Sequence, residues 1–368
     1  MQTRYLQMLP DNTKTGGRQR MAMSRRKLIK KGLMAAGAAA LGSLGFTRPL
    51  FALGASDSSA GPAADTRLAR ARSYVDLERS GELAHREQAL WDLYSPCRLC
   101  PRLCGVNRSA GVPGACSAAG ELRVASFGPA FNIDRPIAGT RGSGSIFMSN
   151  CNLLCIFCQN WQIAHRGDGR VTSRTELAHI MIDLQRRGCH NINYVTPTHM
   201  IPYIVTALRI AINEGLHIPL VFNTSGYESL EVIQLLDGVV DIYMPDFKFQ
   251  DSAIAARFTH GAPDYTLHAA TAIKEMHRQV GDLQTINGIG QRGLIVIHLV
   301  MPENLAGTDV FVRWVVSELG PDTFVNIMDQ YRPMFRANEF PPLDRRITSA
   351  EFTQAMRWAR EAGLHNFH

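Results

Sequence analysis

The sequence predicts an α/β protein, a partial (β/α)6 TIM-like barrel preceded by an N-terminal cysteine-rich metal-binding module. Three observations predict it. From Gly144 onward short apolar runs alternate with amphipathic stretches, the pattern of repeated β-α units around a parallel sheet. Eight cysteines fall into two tight groups and an outlier, at 97, 100, 104 and 116, at 151, 155 and 158, and at 189. The 368-residue chain is 45% apolar and 19% charged, which supports a sizeable buried core.

Strands are expected at Ser145–Ser149, Asn191–Thr196, Leu220–Asn223, Val239–Met244, Leu294–Val300 and Thr323–Met328, where the apolar runs are short and bounded by turn residues. Helices are expected at Ser173–Arg187, Ile201–Glu214, Ser229–Leu236, Leu267–Val280 and Asp309–Leu319, with a last one at Ser349–Ala362. Six such units make a barrel open on one side, since a closed one takes eight. The expected divisions are a leader at 1–54, linker and helix at 55–94 broken near Gly81, the cysteine-rich module with little periodicity at 95–140, the barrel at 141–345, and the C-terminal helix at 346–368.

The net charge of +7 does not make this a nucleic-acid binder. Residues 1–54 hold ten Lys/Arg and one Asp, a local charge of +9, and the remaining 29 Lys/Arg against 31 Asp/Glu leave −2. The basicity belongs to the leader, and the body has no basic stripe. There, Ser24-Arg25-Arg26-Lys27-Leu28-Ile29-Lys30 precedes a mild Ala/Gly-rich apolar stretch from Leu33 to Phe46. This resembles a twin-arginine signal peptide, implying the twin-arginine translocase as a partner and export to the periplasm or outer membrane face, with Met21 or Met23 as an alternative start. The stretch is about 14 residues, where a membrane span takes about 20.

Spacings of two or three residues within the cysteine groups suit metal binding better than disulfides, which would have to bridge near neighbours. Cys97-x2-Cys100-x3-Cys104, with Cys116 after Gly114-Ala115, offers four thiolates on a segment too small to bury much, so a metal would organise it. Four thiolates satisfy zinc or an iron–sulfur cluster equally. Cys189, alone, reads as a buried small side chain. The other group, Cys151-Asn-Leu-Leu-Cys155-Ile-Phe-Cys158, follows the first predicted strand directly and therefore lies at the C-terminal mouth, where barrels hold their chemistry. Zinc completed by His165 is the alternative reading of this trio.

The Cys-x3-Cys-x2-Cys spacing, Phe157 before the last cysteine and Gln159-Asn160 after it resemble the radical S-adenosylmethionine (SAM) superfamily, in its pyruvate formate-lyase activating enzyme-like branch. The resemblance implies a [4Fe-4S] cluster held by Cys151, Cys155 and Cys158, its fourth iron left open to chelate SAM. Reductive cleavage of SAM would then give a 5′-deoxyadenosyl radical that abstracts hydrogen from a substrate. A glycyl residue of a partner protein and a small molecule are both candidates. A low-potential donor such as flavodoxin or ferredoxin is implied, and these are cytoplasmic supplies, at odds with the leader.

Further segments resemble the same branch in barrel order. Leu220-Val-Phe-Asn223-Thr224-Ser225-Gly226 is similar to a SAM-contacting turn, and Val240-Asp-Ile-Tyr-Met-Pro-Asp246-Phe-Lys248 to an Asp-x-Lys strand, which makes Asn223, Thr224, Ser225, Asp246 and Lys248 candidate SAM contacts with Phe157 and Asn160. One departure stands out. Asn193-Tyr-Val-Thr-Pro-Thr198-His199 replaces the Gly-Gly-Glu-like turn that holds the SAM amino group in many members, with Thr198 and His199 as substitutes. His199 and His298 are each either site residues or satisfied core histidines. Resemblance to auxiliary-cluster modules favours iron–sulfur over zinc at Cys97, Cys100, Cys104 and Cys116. The competing class is a non-catalytic iron–sulfur electron carrier or zinc protein using the same cysteines.

Overall fold

A computed structural model describes residues 73–368. The predicted leader at 1–54 and most of the predicted linker lie outside the described residues.

The first elements are two short helices, α1 (Ser73–Arg79) and α2 (Glu82–Asp92), separated at Gly81, whose φ of 80° places it in the left-handed region that ends a helix. Next come β1 (Arg123–Ala130), a single turn α3 (Arg135–Ala138), β2 (Ser143–Met148), a second turn α4 (Trp161–Ala164) and the two-residue β3 (Arg170–Val171). The repeating units follow: α5 (Arg174–Arg186), β4 (Ile192–Val195), α6 (Ile201–Asn213), β5 (Leu220–Thr224), α7 (Leu230–Leu235), β6 (Ile242–Pro245), α8 (Ser252–Phe258) and α9 (Tyr265–Val280). The chain closes with β7 (Gln284–Ile286), β8 (Ile289–Leu299), α10 (Thr308–Glu318), β9 (Phe324–Met328) and α11 (Ser349–Glu361).

β2, β4, β5, β6, β8 and β9 are parallel neighbours in that order, and no strand among the described residues joins β9 back to the other edge. This is a mixed α/β fold whose parallel sheet has the form of a partial barrel. The six expected strands and the six expected helices each appear within a few residues of their predicted bounds, except that the Val239–Met244 strand begins later and the Leu294–Val300 strand earlier.

Alternation along the strands separates two cores. Val221, Ile242, Met244, Ile295 and Ile297 face the barrel interior, closed below by Ile137 of α3. Their neighbours Phe222, Tyr243, Leu294 and Val296 face the helices, meeting Leu177, Met181 and Leu184 of α5 and Ile204, Val205 and Leu208 of α6 at helical spacing. Full burial of one such side chain stabilises by about 1.5–3 kcal/mol. Helix starts are set locally: Ser173 accepts from the Glu176 N–H, Asp251 from the Ile254 N–H, and Thr348 with Glu351 forms a reciprocal capping box.

Two parts of the sheet were not anticipated. β1 lies inside the segment expected to lack periodicity, yet it pairs antiparallel with β2 and carries β3 on its outer side. Gly128 and Pro129 within it mask the strand signal, which is tolerable near a sheet edge. β8 starts five residues before Leu294 because it forms a hairpin with β7 around Asn287-Gly288, both at positive φ. That dipeptide is the commonest two-residue hairpin signal. Beyond α11, Asn366 and His368 accept backbone hydrogen bonds from Val325 and Ile327 and extend the sheet past β9.

Candidate active site

The chain leaves β2 through Asn150, at φ 75°, and turns again at Leu154, at φ 52°, wrapping Cys151, Cys155 and Cys158 into one loop at the C-terminal mouth of the sheet. Burial pushes all three thiols up: Cys158 to about 11, Cys151 upward, and Cys155 well above the usual thiol range. The Lys248 ammonium pulls each of them back down. The Leu153 N–H points at the Cys151 sulfur at 3.4 Å, joined by the Leu154 N–H, and the Asn160 N–H serves Cys158. Backbone donors and an ammonium around three sulfurs make a place prepared for anionic sulfur.

Among the described residues, no group of three or more His, Cys, Asp or Glu is placed to hold a single metal ion. A cubane spreads its thiolates over separate irons, so three cysteines on one wrapping loop fit a [4Fe-4S] cluster without converging on one point. His165 does not join the trio, because its Nε2 lies 3.0 Å from the Cys155 carbonyl oxygen and its ring packs on Phe335 with centroids 4.3 Å apart.

Lys248 follows β6 and pairs with Asp246 at 2.8 Å. Burial alone would lower the ammonium, but the Asp246 carboxylate and the Cys155 thiol outweigh it and hold it protonated. The predicted Asp-x-Lys pair is thus brought to the cysteine loop. The Thr224-Ser225-Gly226 turn is fixed against the same place, since the Ser225 hydroxyl donates to Asn152 Oδ1 at 3.2 Å and the Tyr265 hydroxyl donates to the Ser225 carbonyl at 3.0 Å. Gly226, at φ 81°, is required there: a Cβ would stand 2.2 Å from the Asp246 carbonyl oxygen.

Other predicted site residues sit differently. Phe157 is buried edge-on against Phe249, with centroids 5.9 Å apart, while Asn160 is exposed at the start of α4. Asn223 is half-buried on β5. Thr198 and Thr224 are buried, and both donate to the Glu228 carboxylate. His199 is buried with Nε2 2.6 Å from the Ser149 carbonyl oxygen, and burial drives its imidazole down to about 4, neutral at physiological pH. His298 lies on the helix-facing side of β8, between the Phe247 carbonyl at 2.7 Å and the Thr308 hydroxyl at 2.9 Å, and stacks on Phe311. Both its ring nitrogens are engaged, which is the satisfied-core arrangement. Cys189 is buried in the main core.

Glu228 was not singled out in the sequence. It is fully buried with one carboxylate oxygen lacking any partner, and burial raises it to about 7 against the opposing effect of Thr198 and Thr224. The signal available was an acidic residue two places after the Gly226 turn, where the strand-end pattern leads into α7.

The other four cysteines face one another. Cys97 and Cys104 share a side-chain hydrogen bond, and an ideal Cβ on Gly114 would meet the Cys104 sulfur at 3.1 Å and the Cys116 sulfur at 3.7 Å. Burial raises Cys97, Cys100 and Cys116. At Cys104 burial is outweighed by the Ala115 and Val106 N–H groups and the Cys97 thiol, which hold it below the usual thiol range. This module grips the barrel mouth. Between Cys100 and Cys104, Arg102 donates to the carbonyls of Asn152 at 3.0 Å, His260 at 2.8 Å and Gly261 at 3.2 Å, and lies over the Tyr227 ring. Buried Arg108 donates to the His199 carbonyl at 2.7 Å.

Arg102 therefore ties the two cysteine loops together. Arg102→Ala is expected to cost about 1–3 kcal/mol and to speed amide exchange across residues 152–154, and Arg102→Lys is expected not to restore it, since an ammonium cannot serve divergent carbonyls as a planar fork does. Exchange mass spectrometry and urea denaturation read this, and wild-type protection in the Lys variant would contradict it.

Residues 145–294 match the family model described as the Radical SAM superfamily. The match takes in the sheet from β2 into β8 together with its cysteine loop. A curated relative, the uncharacterized protein MJ0674 of Methanocaldococcus jannaschii, is 31% identical over 231 residues, 60% of this chain and 63% of the relative. The chain thus spans less than two thirds of that relative's length. Similar solved structures include a radical SAM methyltransferase from Sphaerobacter thermophilus, at 13% identity over 61% of this chain and 65% of that one, TM-score 0.42. TYW1 with a lysine-pyruvate adduct bound matches at 11% identity over 59% of this chain and 73% of that one, TM-score 0.38. Streptococcus suis SuiB bound to S-adenosylmethionine matches at 15% identity over 59% and 47%, TM-score 0.37.

Proposed function

We propose that this chain is a radical SAM enzyme. The observation that carries the reading is the trio Cys151, Cys155 and Cys158, wrapped in one loop at the barrel mouth with backbone N–H donors and the Lys248 ammonium beside it. When bound, a [4Fe-4S] cluster supplies an open iron for SAM and the electron that cleaves it reductively to a 5′-deoxyadenosyl radical. The chain's own residues do the rest. The three thiolates hold the cluster, Lys248 and the loop amides stabilise its negative charge, and the Thr224-Ser225-Gly226 turn and Asp246 form the adjoining wall. The barrel interior of Val221, Ile242, Met244, Ile295 and Ile297 offers an apolar, water-poor lining below the mouth.

The finer assignment is to the activating-enzyme-like branch, with hydrogen abstraction from a substrate such as a glycyl residue of a partner protein and a flavodoxin or ferredoxin as electron donor. Its support is the order of motifs from Cys151 to Lys248. For Cys97, Cys100, Cys104 and Cys116 we favour an auxiliary iron–sulfur cluster over zinc; the support is four mutually facing thiols held against the primary loop by Arg102. The Arg25-Arg26 leader supports translocation by the twin-arginine route, which carries proteins already folded around a cofactor.

Anaerobic reconstitution with iron and sulfide, followed by dithionite and SAM, tests the activity. The enzyme is expected to release 5′-deoxyadenosine and methionine in equal amounts. A protein that takes up the cluster and leaves SAM intact would be the electron carrier instead.

A further inference from the structure

Two asparagines two residues apart, Asn191 just before β4 and Asn193 on it, fall on the strand face turned into the barrel, and the fold treats them differently. Asn191, at the floor, accepts from the Ser143 hydroxyl at 2.6 Å and donates to the Ile137 carbonyl at 2.8 Å. Asn193, one step nearer the mouth, is fully buried, and neither its Oδ1 nor its Nδ2 has a hydrogen-bond partner among the described residues. Strand register fixes its direction: it is paired with Val221 of β5, which faces the barrel interior, and with buried Ser145 of β2. The wall formed by Ile242, Met244, Ile295 and Ile297 is apolar. An amide held out of water with both atoms bare destabilises the fold, and an apolar side chain of the same size would remove that cost. Its presence points to a partner that arrives after folding.

What that partner offers follows from the two bare atoms: Nδ2 calls for an acceptor and Oδ1 for a donor. A carboxylate brings only acceptors and an ammonium only donors, so either would leave one atom of Asn193 unpaired. The N–H and C=O of one extended peptide residue, or a primary carboxamide, meet both atoms side by side and carry no charge into the apolar interior. The charged groups that follow β6 at the mouth, Asp246 and Lys248, are paired with each other at 2.8 Å. We infer that Asn193 is a substrate-binding residue of the barrel and that the substrate presents a neutral amide to it, a peptide main-chain residue or a primary carboxamide. The inference rests on the reading under Proposed function and names the substrate class of that same barrel. Asn193 lies two residues deeper than the level shared by Val195 and Asn223, beneath the candidate cofactor contacts of the mouth.

The test is calorimetric binding to anaerobically reconstituted protein, with SAM present and the cluster oxidised so that no turnover occurs. The probes are N-acetylglycine N-methylamide, which carries a peptide residue, propionamide, which carries a primary carboxamide, and propionate, which matches propionamide in shape but is charged. Wild type is expected to bind at least one amide about 10-fold or more tighter than propionate, and the amide it prefers separates a peptide source from a small-molecule one. Asn193→Leu is expected to weaken that amide by about 10-fold or more, to leave SAM affinity unchanged, and to raise the urea midpoint of the ligand-free protein. Amide binding no tighter than that of propionate, equal amide affinity in wild type and Asn193→Leu, or a lowered urea midpoint overturns the inference while leaving the enzyme reading standing. Failure of the reduced, cluster-loaded wild type to cleave SAM overturns both. If Asn193→Leu does not load a cluster, Asn193→Ser decides: it is too short to pair with both atoms of the amide and is expected to show the same loss. Unchanged amide affinity in that variant overturns the inference.

Discussion

Changing Cys151, Cys155 and Cys158 together to alanine is expected to lower bound iron by about four atoms per chain and to reduce 5′-deoxyadenosine release to background. The three sulfurs sit in one loop shaped by the turns at Asn150 and Leu154 and share the Lys248 ammonium. His165, the alternative fourth ligand, is turned to the Cys155 carbonyl. The electron paramagnetic resonance signal of the reduced triple variant should also lose its sensitivity to SAM. Any iron that remains would report on Cys97, Cys100, Cys104 and Cys116, and changing those four instead should leave a SAM-sensitive signal. A SAM-sensitive signal in the triple variant would sink the assignment of the primary cluster.

Replacing Glu228 with glutamine is expected to change the pH dependence of stability in the metal-free protein. Burial raises this carboxyl from 4.5 to about 7, so the folded chain holds a proton that the unfolded chain releases first. Below pH 4.5 both states are protonated and the acid costs nothing by linkage. As pH rises through that window the unfolded state gains the advantage, by up to about 1.4 kcal/mol per pH unit, until the folded group also ionises near 7. Glutamine escapes this, so its stability relative to wild type should increase by about 2–3 kcal/mol between pH 5 and pH 8. Cys100, Cys151 and Tyr265, which also feel the carboxylate, are common to both proteins, so most of their own titration cancels in the difference. Urea denaturation at several pH values reads the effect, and a constant difference between the two proteins would show that Glu228 is not a buried acid of raised affinity for protons.

Much of the barrel was legible because each of its units obeys a local rule. The α5 and α6 faces repeat apolar residues at helical spacing, and Ser173 and Thr348 cap their helices through side chains a few residues from the amides they serve. The parts that were missed depend on partners distant in sequence. Arg123–Ala130 becomes a strand because β2 offers it an edge, despite Gly128 and Pro129. His298 looked equally suited to ligand or core, and only the side of β8 on which it falls, with Phe247 and Thr308 at its two nitrogens, separates them.

By itself the sequence determined the order of the six parallel strands and of the six expected helices, and the spacing of the cysteine trio, since periodicity and ligand spacing are properties of near neighbours. The tertiary structure alone decided that Arg102 of one cysteine group holds the carbonyls of the other, and that Glu228 is caught between Thr198 and Thr224 with an oxygen to spare. The reason is physical: the cost of a buried charge or an unpaired polar atom depends on what surrounds it, and those surroundings come from segments tens of residues apart that meet only when the sheet has formed.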